Sequence, residues 1–481
     1  VRWPTISRVL GFLLLVSGGL MLPSLGLSLA YADGQWAIFA GVMAATLVAG
    51  GGLMFLGRDS QRGDLRKRDG YFIVASSWVL VSLFGCLPYL FGGAVHGFLD
   101  AFFETASGFT TTGASILTDI EVLPPSLLFW RSTTQWIGGM GIIVLTVAIL
   151  PLLGIGGMEL FASEAPGPTT DKLHPRIRET AKRLWIVYLL LTLACGGLLD
   201  AGGMTAFEAA NHAMTTLSSG GFSTRNASIA AWDGDLIHYT IIGFMFLAGT
   251  NFTLLYQIYS MRWAKVRANQ EIRMYGLIVL IATAVLAVLG WTAGGEGALA
   301  FRESLFMVVS VITTTGFVTA DYQSWLPFVT LLFLLLMLSG ASAGSTSGGI
   351  KVVRYALLFK NTALEMKRIL HPRAVIPVRF NGSAVDRGVI YNIMAFVVLY
   401  VGIALLSTGV FAAMGLPLDT GLGATLATLG NIGPGIGQVG PLDNFAALPD
   451  GAKAYCCFLM IVGRLELFTV LILFSPYFWK H

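Results

Sequence analysis

The chain has 481 residues, of which 55% are apolar and only 12% charged, with a mean hydropathy of +0.74 and a formal net charge of +4. A soluble domain carries about 25% charge, so this composition excludes an ordinary soluble enzyme. A closed β-barrel would show alternating segments of ~10 residues, and these apolar runs do not alternate. The expected class is an all-α polytopic membrane protein.

In chain order, candidate spans fall at roughly 9–32, 36–57, 71–93, 125–152, 183–203, 236–260, 273–293, 325–359, 388–414 and 452–477. Each comes near or exceeds the ~20 residues that cross a bilayer. The first run follows Arg2 and Arg8, but it is long for a signal peptide and lacks a clear small-x-small cleavage site. The four cysteines, Cys86, Cys195, Cys456 and Cys457, sit in apolar segments without disulfide or metal spacing and read as packing residues.

Basic residues cluster in alternate loops: Arg58, Arg62, Arg66, Lys67 and Arg68; then Lys172, Arg176, Arg178 and Lys182; then Arg262, Lys265 and Arg267; then Lys360, Lys367, Arg368, Arg373, Arg379 and Arg387. The positive-inside rule assigns these loops, and both termini, to the cytoplasm. The opposite loops are acid-rich, with Asp100, Glu104, Asp119, Glu121, Glu208, Glu303, Asp321 and Asp419 among them. Such a mouth gathers cations, although acids also simply fill the face that basic residues avoid.

Four semi-apolar stretches, each too short to span, lie between spans three and four, five and six, seven and eight, and nine and ten. They end in "TTTG" at Gly113, "SSGG" at Gly221, "TTTG" at Gly316 and "GNIG" at Gly433. At the same interval upstream stand Asp100, Glu208, Glu303 and Thr420, the last next to Asp419. An acid favours a helix N-terminus, so four short helices are expected to start at these acids. Each aims its C-terminal end at the following glycine. The repeating unit is span, half-helix, extended polar loop, span. Two extra helices over 1–69 precede repeats over 70–160, 161–268, 269–372 and 373–481.

Irregular backbone at membrane depth persists only where protein buries it or it lines a cavity. Four such loops around one axis offer backbone carbonyls that replace a cation's water shell. The candidate filter comprises Thr111, Thr112, Gly113, Ser219, Gly220, Gly221, Thr314, Thr315, Gly316, Asn431, Ile432 and Gly433. No carboxylate lies in these stretches, which favours a monovalent ion such as K+ over a divalent one. The K+ ligands are expected at Thr112, Gly113, Gly220, Gly221, Thr315, Gly316, Ile432 and Gly433.

With these units, the chain resembles the Trk/Ktr/HKT superfamily of cation transporters over essentially its whole length. The two leading spans and the closing "GRLELFTVLILFSPYFW" are most similar to the bacterial TrkH/TrkG branch. The resemblance implies that Gly113, Gly221, Gly316 and Gly433 line a selectivity filter, and glycine in all four goes with K+ preference. The second and fourth loops depart from TTTG. The resemblance also implies a bacterial inner-membrane protein, a homodimer and a separate cytosolic nucleotide-binding regulatory ring. The basic inner loops are docking surfaces for that ring or for anionic membrane lipid. No nucleic-acid partner and no organic cofactor are expected.

"LSGASAGSTSGGIK", Leu338 to Lys351, interrupts the eighth span. Its Gly340, Gly344, Ser345, Ser347, Gly348 and Gly349 disfavour helix at membrane depth. The resemblance implies an intramembrane gate under the filter. Arg464 falls inside the last span, where an arginine must face protein or water. It stands two residues before Glu466, so the two side chains leave a helix on different faces. Arg464 is therefore expected in the pore as a barrier that loop movement relieves, the role the resemblance implies for it.

"GIGQVG", Gly435 to Gly440, fits a dinucleotide fingerprint but follows no strand. "GASAG", Gly340 to Gly344, fits a nucleophile elbow at Ser342 but lacks a histidine in an opposing span. Neither predicts an enzyme. The working expectation is K+ uptake by channel-like permeation. The alternative is a symporter coupled to H+ or Na+, for which Glu466 is the acid that a proton relay would use.

Overall fold

The structure, a computed structural model, describes residues 2–58, 67–149, 177–292, 297–374 and 376–480. The basic loops 58–70 and 153–182 lie largely outside the described residues. Six described helices are long and apolar enough to cross a membrane, or eight if two sharply bent helix pairs each count as one span. The protein is a multi-pass helical membrane protein.

The leading spans pair through glycine. On helices Trp3–Gly19 and Trp36–Leu56, a Cβ at Gly11 or Gly50 would fall inside 3.0 Å of the other's carbonyl oxygen. Small residues let membrane helices touch backbone to backbone, where dispersion rather than water expulsion holds them. Helix Lys67–Gly85 packs on Trp3–Gly19, and its continuation after a break at Cys86, Leu87–Phe91, packs on Trp36–Leu56.

The four short helices are Phe98–Phe109, Ala206–Leu217, Gly297–Ile312 and Leu418–Leu429. Three carry an acid in the first turn: Asp100, Glu208 and Asp419. Glu208 completes a capping box with Thr205, satisfying two orphan amides. The third departs from expectation. It begins at Gly297, so Glu303 lies in its interior rather than at its start.

A second departure concerns the spans that follow the short helices. The eighth is interrupted, as expected, between helices Pro327–Leu338 and Val352–Leu370. The runs 236–260 and 452–477, read as continuous spans, are each bent by 110°. They divide into Asp235–Ala248 with Phe252–Tyr259, and Asp450–Arg464 with Phe468–Phe474. Helix Pro125–Ile149 holds a non-helical residue, Gly141, with φ 70 and ψ 148. All four of these spans therefore break. A hydropathy run measures solubility in lipid and is blind to such bends.

Candidate ion-conduction site

Each short helix ends with the same backbone. The amides of Thr112, Gly220, Thr315 and Ile432 each reach 2.9 Å back to the carbonyls of Ser107, Thr215, Ser310 and Ala427. The preceding residues, Thr111, Ser219, Thr314 and Asn431, adopt φ of 53, 54, 56 and 53. The bond pattern and left-handed turn are those of a Schellman cap, here built without glycine. Gly113, Gly221, Gly316 and Gly433 then have φ of 82, 73, 80 and 101, a region that disfavours any Cβ. Two near-verbatim motifs and two degenerate ones thus fold alike.

The glycines also reveal how the loops meet. A Cβ on Gly113 would fall inside 3.0 Å of the carbonyl oxygen of Gly220. The same holds for Gly221 against Thr315, Gly316 against Ile432, and Gly433 against Thr112. Each loop abuts the next in sequence order, and the fourth returns to the first. The four stretches form one closed ring, with all twelve candidate filter residues in it. The side chains Thr111, Thr112, Ser219, Thr314, Thr315, Asn431 and Ile432 are buried.

Hydroxyls brace the loops instead of facing outward. Thr110 Oγ1 and Thr112 Oγ1 lie 2.7 Å apart, and Thr313 and Thr315 repeat the contact at 2.8 Å. The fourth loop reaches across: Asn431 Nδ2 donates to Thr112 Oγ1 and to the Met460 carbonyl, both at 2.9 Å. Behind the first two loops, Arg131 donates to Glu104 at 2.6 Å and to the Ser223 carbonyl at 2.9 Å, both charges being buried. Glu104 also accepts from Ser115 Oγ and the Ile116 amide, each at 3.0 Å. His212 joins the Glu208 carbonyl and Ser223 Oγ, so it holds a loop rather than an ion. At the surface, Arg225 binds Glu208 at 2.7 Å, a bond that raises the guanidinium pKa above its ordinary value.

The interrupted segment 339–351 folds against the ring. Gly340 donates to the Ile350 carbonyl at 2.8 Å, closing the segment into a loop. Thr346 Oγ1 lies 2.7 Å from Ser219 Oγ, and the Gly348 amide donates 2.7 Å to Thr314 Oγ1. A Cβ on Gly348 would meet the Gly430 carbonyl inside 3.0 Å. The loop therefore touches the bases of three of the four ring segments. Ser345 Oγ bonds the Ser342 carbonyl and Ser347 Oγ, and Gly344 and Gly349 take φ of 71 and 65 to allow the turns.

Sequence reasoning missed the partners of this loop. The broken sixth span supplies several: Gly249 O accepts from Ser342 N at 3.0 Å, and Phe252 N donates to Gly344 O at 3.1 Å. Asn251 caps the second half of that span and donates to Ala343 O at 2.6 Å. Glu271 accepts from the Ala343 amide at 2.7 Å, and buried Lys351 donates to the carbonyls of Ser347 and Gly348. The signal was "GTN", Gly249 to Asn251, a helix breaker followed by a capping residue inside an apolar run.

Arg464 is the last residue of its half-span. It donates to the Thr346 carbonyl at 2.8 Å and to the carbonyls of Gly138 and Gly139. It joins the loop to the span after the first ring segment. Glu466 instead pairs with Arg354, which stacks 3.8 Å over Phe396. The two neighbours in sequence serve different partners because the helix stops at Arg464 and Glu466 lies in the bend with φ of 55, rather than because they share a helix on different faces.

Comparison with known proteins agrees with this architecture. A family model described as TrkH, cation transport protein, matches residues 35–292 and 295–480. The Trk system potassium uptake protein TrkH of Salmonella typhimurium is 39% identical over 487 residues, covering 100% of both chains. The Trk system potassium uptake protein TrkG of Escherichia coli strain K12 is 37% identical over 482 residues, covering 99% of this chain and 98% of that one. The crystal structure of the potassium transporter TrkH from Vibrio parahaemolyticus superposes with a TM-score of 0.89 at 36% identity, covering 100% of both chains.

Proposed function

This chain belongs to the TrkH family of cation transport proteins, a transporter family rather than an enzyme family, and from that premise we propose that it carries K+ into the cell across the bacterial inner membrane. The ion passes through the ring, where the carbonyls of Thr112, Gly220, Thr315 and Ile432, with those of the following glycines, replace its water. The observation that carries this reading is the closed sequence of glycine-to-carbonyl contacts around four loops. Neutral oxygens at a ring of short-helix C-termini suit a weakly hydrated monovalent cation.

Segment 339–351 with Arg464 is the gate. The loop's contacts to Ser219, Thr314 and Gly430 place its polar backbone against the ring, and Arg464 adds a positive charge tied to that loop. Permeation is channel-like. The membrane potential contributes roughly 2.3 kcal/mol per charge per 100 mV, enough to drive uptake without a second ion. Glu466, the acid a proton-coupled symporter would use, is engaged by Arg354. Both termini are cytoplasmic, and the chain works as a homodimer with a cytosolic nucleotide-binding ring. That ring docks on the inner basic segment near Lys367 and Arg368, where Met366, Ile369 and Leu370 are exposed.

The deciding experiment is radioactive rubidium uptake into proteoliposomes, competed with K+ and Na+. K+ competes at far lower concentration than Na+. Equal competition by the two ions would reject the filter. Unitary current steps in a planar bilayer support the channel, and their absence with proton-dependent uptake would support the symporter.

A further inference from the structure

Three of the four ring carbonyls belong to residues with side chains, Thr112, Thr315 and Ile432; the fourth belongs to Gly220. The space a Cβ would take there is filled. Such an atom would meet Cδ, Oε1 and Nε2 of Gln135 inside 3.0 Å. Gln135 lies fully buried on helix Pro125–Ile149, one turn beyond Arg131 on the same face. Its Nε2 donates 2.6 Å to the Gly220 carbonyl, and its Oε1 accepts 3.0 Å from the Phe222 amide. The one side-chain amide therefore brackets Gly221 from both sides. Among the described residues, the carbonyls of Thr112, Thr315 and Ile432 have no protein donor of this kind.

The second loop needs such a splint. Gly220 and Gly221 form a two-glycine run, the most freely rotating backbone available. The hydroxyl pairs that brace the first and third loops have no counterpart at Gly220. A carbonyl oxygen has two lone pairs, so the amide holds the Gly220 carbonyl while leaving the other lone pair for a ligand.

The geometry points to Gln135 as a specificity-positioning residue that fixes the aim of the Gly220 carbonyl and thereby sets ion preference. The inference rests on the reading of the ring as a K+ filter. It also explains why the second motif reads SSGG: a threonine at 220 would evict the amide.

The test uses the full chain in proteoliposomes and compares the Na+ and K+ concentrations that halve rubidium uptake. Gln135→Met keeps an unbranched chain of similar reach without donor or acceptor. The Na+/K+ ratio falls roughly tenfold, the worth of about one net hydrogen bond. A wild-type ratio in this variant would overturn the inference. The double variant Gln135→Ala with Gly220→Ala refills the space without the amide, and its ratio stays low. A double variant that regains the wild-type ratio reduces Gln135 to packing and overturns the inference as well. If Gln135→Met does not fold, the double variant alone decides. Gly316→Ala separates the two levels. If it lowers the ratio while the Gln135 variants do not, only this inference fails; if it too changes nothing, the filter itself fails.

Discussion

The guanidinium of Arg464 donates a 2.8 Å hydrogen bond to the carbonyl oxygen of Thr346, and Thr346 Oγ1 lies 2.7 Å from Ser219 Oγ at the base of the second ring segment. One chain of contacts thus runs from the break in the last span, through the interrupted loop, to the ring. The same guanidinium reaches Gly138 and Gly139 on the span after the first ring segment. The arginine thus ties the loop to that span through backbone carbonyls on both.

Arg464→Ala removes both the charge and the tether. Rubidium uptake into proteoliposomes rises at least roughly tenfold, well within the ~4 kcal/mol available between unit charges 4 Å apart in a partly polar site. Unchanged uptake would remove the arginine from the gate.

Gly348→Ala tests the loop without touching any charge. The added Cβ would fall inside 3.0 Å of the Gly430 carbonyl, which is backbone and cannot swing aside. The loop is driven from this position, and uptake increases relative to the unsubstituted chain. A fall in uptake would mean that the loop opens the path in this position instead of closing it.

Gly316→Ala attacks the ring. The substitution combines φ of 80 with a Cβ inside 3.0 Å of the Ile432 carbonyl. A left-handed conformation alone costs a side-chain-bearing residue about 1–2 kcal/mol. Uptake falls and Na+ competes better. Gly409→Ala is the control: a Cβ there has nothing within 4 Å, and helix Arg387–Ala413 gains about 1 kcal/mol of propensity. Its uptake stays at the unsubstituted level.

Arg131→Met leaves Glu104 charged and buried behind the first ring segment. Breaking one partner of a buried pair costs about 3–5 kcal/mol. Thermal unfolding in detergent should fall sharply for Arg131→Met. The double variant with Glu104→Gln recovers part of the loss. Additive losses in the double variant would show that the pair is not a unit.

Much of this was legible in the residues. The four motifs, their order between spans and the break at 339–351 follow from spacing and polarity, because lipid tolerates irregular backbone only where protein or water meets it. Arg464 and Glu466 do have different partners, but the helical geometry invoked for them does not apply, because the helix ends at Arg464 and Glu466 has a left-handed φ of 55. The start of the third short helix did not, since Glu303 sits inside a helix that needs no acidic cap there. The bends at 249–251 and 465–467 were hidden in apolar runs. Their freed backbone groups find partners far along the chain, as Gly249 does with Ser342. Gln135 was illegible for a different reason: it closes a polar run, Arg131 to Gln135, that declares partners without naming them, and only the folded ring reveals that the partner of Gln135 is Gly220.

The ring has a seam, and its location matters for how the protein is made. Its closing contacts join the most distant parts of the sequence: Gly433 against Thr112, Asn431 to Thr112, Phe445 to Ser115, and Lys453 to Asp100. A nascent chain emerging from the ribosome can assemble three walls of the passage but cannot shut it until the final quarter inserts. The closing junction is therefore the last part of the ring that synthesis can complete, and every contact across it waits for residues beyond Asn431 or Asn431 itself.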